Sequence, residues 1–156
     1  MNQLFSDYEI ERNKPLPTLL HGVIQSNVGF EIKIASGQKY RIASEVTLNT
    51  FPKDLTPDLI ILPYQKINLS GECPAKYGIP PLTVIEIQSA SQSLDEMVNK
   101  TLIYFDFGVK SCWIVQPIIK AIIVFSGPDE YTFFHHNDIL KDSILDIEID
   151  LQNIFE

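Results

Sequence analysis

The sequence predicts an α/β (α+β) domain, a mixed β-sheet with helices packed on it. Three features carry that expectation. Strand and helix patterns alternate along the chain, two of the strands are continuous apolar runs, and the composition is that of a chain with a buried core. Hydrophobic residues make up 45% and charged residues 21% of the 156 positions, which excludes a disordered chain. That length suits one domain, and no repeat, low-complexity tract or linker divides it, so residues 1–156 are read as a single unit.

Residues 7–12 read as a short strand, closed by Lys14-Pro15-Leu16-Pro17. A helix is expected from about Thr18 to Ala35, with Leu19, Leu20, Val23, Ile24 and Val28 as its apolar stripe and Ser36-Gly37 as its stop. Residues 39–48 alternate as a half-buried strand does, with Tyr40, Ile42, Val46 and Leu48 on one face. Pro57-Asp58 opens the run Leu59 to Leu62, and a turn-rich loop leads to a second buried strand, Leu82 to Gln88. Ser93 with Glu96 three residues on is a capping-box signature, and the helix it starts is stopped by Gly108. Cys112–Val115, Ala121–Phe125 and Tyr131–His135 form an expected antiparallel meander. Leu145, Ile147 and Ile149 then alternate with acids in a last strand, after which Asp150 caps a short helix.

The net charge of −8 argues at first against a nucleic-acid partner, but its distribution does not. Residues 1–126 hold twelve acids and eleven bases, whereas 127–156 hold eight acids and Lys141 alone. The body is close to neutral and leaves room for DNA, with Arg12, Lys14, Lys33, Lys39 and Arg41 on the side away from the acidic tail. Lys39 and Arg41, two apart on one strand, project to one face and are the expected phosphate contacts; solvated surface charge is the competing account. No apolar stretch reaches the roughly 20 residues of a membrane span, the first residues carry no secretory pattern, and Cys73 and Cys112 lack metal spacing. A cytoplasmic protein with unpaired thiols and no membrane partner is expected.

Asp58 and Glu86 stand out because each interrupts or opens a strand that otherwise reads as wholly buried. A buried carboxylate costs several kcal/mol unless a cation or donors compensate it. Two carboxylates from neighbouring strands on one face are an oxygen-ligand set suited to Mg²⁺ or Mn²⁺. The same pattern is met by carboxylates that merely accept N–H bonds and end their strands. Glu86 and Gln88, two apart, share a face.

Pro57-Asp58, Ile85-Glu86-Ile87-Gln88-Ser89, Lys100 followed by Tyr104, Gly108-Val109 and Cys112-Trp113-Ile114-Val115 together resemble the Uma-two family, which is grouped with restriction endonucleases in the PD-(D/E)XK nuclease-like superfamily. The resemblance runs from Tyr8-Glu9-Ile10-Glu11 and His21 through Ser44-Glu45 to Leu145-Asp146-Ile147-Glu148-Ile149, nearly the whole chain. It implies a restriction-endonuclease-like core and a site in which Asp58 and Glu86 bind metal and a lysine completes the set. Gln88 stands where the superfamily's motif has that lysine, and the resemblance moves the role to Lys100 on the following helix. A flexible ammonium can reach a phosphate from several backbone positions. The plain alternative for Lys100 is a helical pair with Glu96, worth about 0.3–0.5 kcal/mol.

By the same resemblance Glu45 is an extra carboxylate or a surface ion-pair member. Glu11 and His21 support the metal or cap and pack, and Tyr104 borders the site or fills core. The implied function is metal-dependent hydrolysis of DNA phosphodiester bonds, with a homodimer suited to cutting both strands. The other class of reading is a nuclease-fold module with weak or no catalysis that binds nucleic acid or protein.

Overall fold

The computed structural model describes residues 4–12 and 14–156. Its central sheet has six strands in spatial order β1 (Tyr40–Ser44), β2 (Leu59–Pro63), β3 (Thr83–Ile87), β4 (Ser111–Gln116), β5 (Ala121–Gly127) and β6 (Glu130–His135). Neighbours are antiparallel except β3 and β4, which run parallel. Parallel neighbours need a crossover, and α3 (Leu94–Phe107) supplies it. Before the sheet come α1 (Asp7–Arg12) and α2 (Leu19–Ser36); after it come a separate hairpin, β7 (Ile139–Asp142) and β8 (Ile147–Asp150), and a single 3-10 turn, Leu151–Asn153, capped by Asp150 as expected.

The continuous apolar runs are explained by cover on both faces. Leu59, Ile61, Ile85, Ile87, Trp113 and Val115 pack toward α2 and the β7–β8 hairpin. Their alternating neighbours Ile60, Leu62, Val84 and Ile114 join Met97 and Tyr104 of α3 in a second cluster. Every residue of β3 is therefore buried. Ser93 caps α3 by accepting the Glu96 N–H, as its signature predicts. Gly108 ends the helix at φ +117°, where an added Cβ would also lie 2.9 Å from Pro80 Cγ.

Four expectations about elements need correction. Residues 7–12 are helix, not strand, because Ser6 and Glu9 form a reciprocal cap: the Ser6 N–H donates to Glu9 at 2.7 Å and the Glu9 N–H to Ser6 Oγ at 3.3 Å. On α2 the buried stripe is Ile24, Val28, Ile32 and Ser36, while Leu19, Leu20 and Val23 are exposed. The first turn lies beside Asp58, just ahead of β2, and does not cover the middle of the sheet. β1 stops at Ser44, since Glu45 takes φ +57° and turns the chain out of the extended form, and Leu48 instead bridges Leu55 and Tyr77. The last strand starts at Ile147 and pairs with β7, a four-residue strand too short and mixed to read as one.

Asp142 ties that hairpin to the main sheet. It is buried; its Oδ2 accepts the Trp113 indole N–H at 2.7 Å and the Ser111 hydroxyl at 2.8 Å. Its Oδ1 accepts the N–H groups of Ile144 and Leu145 at 2.8 and 3.0 Å. Asp142→Ala strips a buried indole N–H of its acceptor. It is expected to lower the unfolding free energy by about 3 kcal/mol, read by urea denaturation with Trp113 fluorescence as the probe. A loss under about 1 kcal/mol would show that the hairpin is held by its apolar residues alone.

Candidate active site

Asp58 lies just ahead of β2, one step beyond the Leu59–Ile85 pair, which brings it level with Glu86 on β3. Its carboxylate is fully buried, and both oxygens have partners. Oδ2 accepts the Ile87 N–H at 2.7 Å, where the β2–β3 ladder gives out. Oδ1 accepts the Lys14 ammonium at 2.6 Å and lies 3.0 Å from His21 Nε2. Gln25, one turn along α2 from His21, donates to the Asp58 carbonyl at 3.2 Å. Burial pushes the Asp58 carboxyl upward, but the His21 hydrogen bond and the Lys14 charge outweigh it and hold the group below its ordinary value. His21 is raised in return, chiefly by that hydrogen bond and against burial. Burial opposes the charge on Lys14, yet Glu86 and Asp58 together raise the ammonium above its usual value.

Glu86 faces α3. Its Oε1 accepts the Tyr104 hydroxyl at 2.5 Å and lies 4.0 Å from Lys100 Nζ. Burial raises the Glu86 carboxyl; the Lys100 charge works against it and the Asp58 charge adds to it. Tyr104 is pushed well above its normal value by burial and by Glu86, so it stays a donor. Two carboxylates level in the sheet thus have environments that push them apart, Asp58 toward the anion and Glu86 toward the acid.

Lys100 turns inward: its side chain is 12% exposed, and among the described residues it makes no ion pair with Glu96. Glu45 borders the group, with Oε2 3.0 Å from Arg12 and 3.7 Å from Lys14, and its N–H donates to the Asp58 carbonyl at 3.2 Å. Tyr104 is core and site neighbour at once. The other sequence candidates are not brought in. Gln88 bonds the Gln92 carbonyl and the Gln116 amide instead, and Glu11 is exposed on α1. Lys39 and Arg41 lie at the far end of β1, where Arg41 donates to the Gln65 carbonyl at 2.8 Å and covers the Tyr64 ring.

Lys14 corrects the charge argument most sharply. Grouped by sequence with surface bases, it is 7% exposed and donates to the Thr56 carbonyl at 3.0 Å as well as to Asp58. Nothing in its neighbours marks it, since Pro15 and Pro17 describe only an extended approach to α2. Two clefts flank the group. One of about 680 Å³ runs along α2 past His21, Gln25, Phe30, Lys33 and Glu45; the other, about 590 Å³, lies between α1 and the start of α3 and includes Lys14 and Glu96.

Residues 4–152 match the model of the Uma2 family, described as "Putative restriction endonuclease". The chain belongs to this family. A solved structure from Anabaena variabilis, described as "a putative nuclease belonging to DUF820", has a similar fold at 21% identity, with a TM-score of 0.77 over 91% of this chain and 83% of that one. No curated protein matches the chain.

In this member of the Uma2 family the donor chemistry fits a hard divalent cation. Two buried carboxylates stand level on adjacent strands, and Mg²⁺ is commonly held by one or two carboxylates with water completing its shell. No cluster of three or more His, Cys, Asp or Glu side chains able to hold a metal is present among the described residues, so a closed all-protein cage is not what this site offers. Asp58 and Glu86 would be the ligands. Among the described residues no helix is long and apolar enough to cross a membrane.

The His21–Asp58 bond sets a pH response. His21 is raised above 6.5, so its contribution to stability is fully present below about 6.5 and is lost as pH rises through the folded value. An NMR titration should place the imidazole above 6.5, and Asp58→Asn should bring it below 6.5, where burial then dominates. A titration unmoved by Asp58→Asn would show that the bond does not govern His21.

Proposed function

We propose that the chain is a metal-dependent nuclease that hydrolyses DNA phosphodiester bonds, with Asp58 and Glu86 as ligands of Mg²⁺ or Mn²⁺ and Lys100 as the cation beside them. The observation that carries this reading is the level pair of buried carboxylates with Lys100 turned onto Glu86 from α3. Two buried carboxyl groups beside an inward-facing lysine are costly to fold, and groups of this kind cluster at functional sites. The bound cation would supply an activated water and charge stabilisation at the phosphate. The protein's own part is to hold Asp58 ionised through His21 and Lys14, to fix Glu86 through the Tyr104 hydroxyl, and to aim the Lys100 ammonium at a phosphate oxygen. Membership in a family described as "Putative restriction endonuclease" supports the same reaction class. DNA as substrate, a homodimer that cuts both strands and a reducing cytoplasm belong to this proposal, and the clefts lined by His21 and by Lys14 are the paths a strand would use.

A second reading is a nuclease-fold module that binds nucleic acid or protein with little catalysis. It is favoured by Gln88, which turns away to Gln92 and Gln116, and by Asp58, whose two oxygens are already bonded.

Nicking of supercoiled plasmid with Mg²⁺ or Mn²⁺ separates the two. The enzyme reading expects nicking that a chelator abolishes and that Glu86→Ala and Lys100→Ala each lower by roughly 10²–10³-fold with the fold intact. Wild-type protein inert with both metals would leave the binding module standing. A salt series on DNA binding tests the surface bases: with Lys39 and Arg41 far from the carboxylates, Lys39→Ala with Arg41→Ala should leave the salt slope unchanged. A slope lower by about two would restore them as phosphate contacts.

A further inference from the structure

The ammonium of Lys14 holds an Asp58 oxygen that a metal ion bound there would contest. It bonds Asp58 Oδ1 at 2.6 Å, the Thr56 carbonyl at 3.0 Å and lies 3.7 Å from Glu45, so it already gathers oxygen ligands as a cation does. Asp58 Oδ2 already accepts the Ile87 N–H, so both oxygens are committed before a metal arrives. We infer that Lys14 is an internal counter-ion that competes with the divalent cation for Asp58, and that loading the metal lifts Lys14 and α1 off the body of the protein.

The way α1 is attached makes such a release possible. None of its residues is buried. Among the described residues, two cations tie this end of the chain to the sheet, Arg12 to Glu45 at 3.0 Å and Lys14 to Asp58 and the Thr56 carbonyl. A segment held by ion pairs and not by apolar cover opens at low cost once its counter-charges are taken. Lys14 also lines the cleft between α1 and α3, so the same movement widens the approach to the carboxylates. A cation that binds only after Lys14 has left shows an affinity reduced by the fraction of molecules in which Lys14 is off.

The inference rests on Asp58 and Glu86 as metal ligands, and the test keeps the two apart. Mn²⁺ binding to the full chain is followed by electron paramagnetic resonance for wild type, Lys14→Met and Lys14→Arg. Hydrogen exchange of residues 7–12 is measured in the wild type with and without Mg²⁺. Competition predicts at least about tenfold tighter Mn²⁺ binding by Lys14→Met, near wild-type binding by Lys14→Arg, and faster exchange in α1 when Mg²⁺ is added to the wild type. Mn²⁺ bound equally well or less well by Lys14→Met overturns the counter-ion while leaving the metal site in place. No Mn²⁺ bound by wild type or by either variant overturns the metal site and the counter-ion together. If Lys14→Met fails to fold, the wild-type exchange decides alone: unchanged or slower exchange in α1 on saturation with Mg²⁺ rejects the release.

Discussion

A carboxylate without exposure has to be answered by charge and hydrogen bonds, and Asp58 is the residue around which this protein meets that requirement. Its two oxygens reach three separate parts of the chain: the approach to α2 through Lys14, α2 itself through His21, and β3 through the Ile87 N–H. The bonds also set position. α2 begins where His21 meets Asp58, β1 ends where the Glu45 N–H meets the Asp58 carbonyl, and β2 starts immediately after it. The apolar clusters on the two faces of the sheet supply the stabilisation, but with apolar residues on both faces they fix register less sharply than a buried ion pair does.

Glu86 is handled differently, and the contrast has chemical content. It sits inside β3 with a phenol as its hydrogen-bond donor and an ammonium at 4.0 Å, an environment that tolerates the neutral form. Asp58 sits at the end of a strand in direct contact with an ammonium and an imidazole. Adjacent register positions have therefore been given opposite electrostatic tendencies, which is how a pair of like residues acquires separate roles.

Much of the architecture was legible in the sequence because its signals are local. The runs Leu59 to Leu62 and Leu82 to Gln88, the Ser93 cap and Gly108 each report on a few neighbouring residues, and each lies where expected. The two central carboxylates were legible for a related reason, since an acid in an apolar run is visible without knowing the fold. Lys14 was not. A lysine just before a proline looks the same whether it reaches solvent or a carboxylate 44 positions away. α1 is ambiguous in the sequence: Ser6 and Glu9 carry the same cap signature as Ser93 and Glu96, but the alternation of Tyr8 and Ile10 with acids suits a strand of that length equally well. The β7 strand escaped notice because four residues hold too little pattern to declare themselves.

The distances in sequence between the partners of Asp58 bear on when this arrangement can exist. His21 precedes it by 37 positions, Lys14 by 44, and Ile87 follows by 29. Contacts that distant form only after the intervening loops have closed, so they come late relative to helices and tight turns. A nascent chain exposes Asp58 before β3 has been made, and through that interval its carboxylate is an ordinary hydrated acid. The acid–lysine cluster is thus a property of the finished sheet and is absent from every shorter segment. Any chemistry located there is withheld during synthesis and lost at the first step of unfolding that parts β2 from β3, without a dedicated inhibitor.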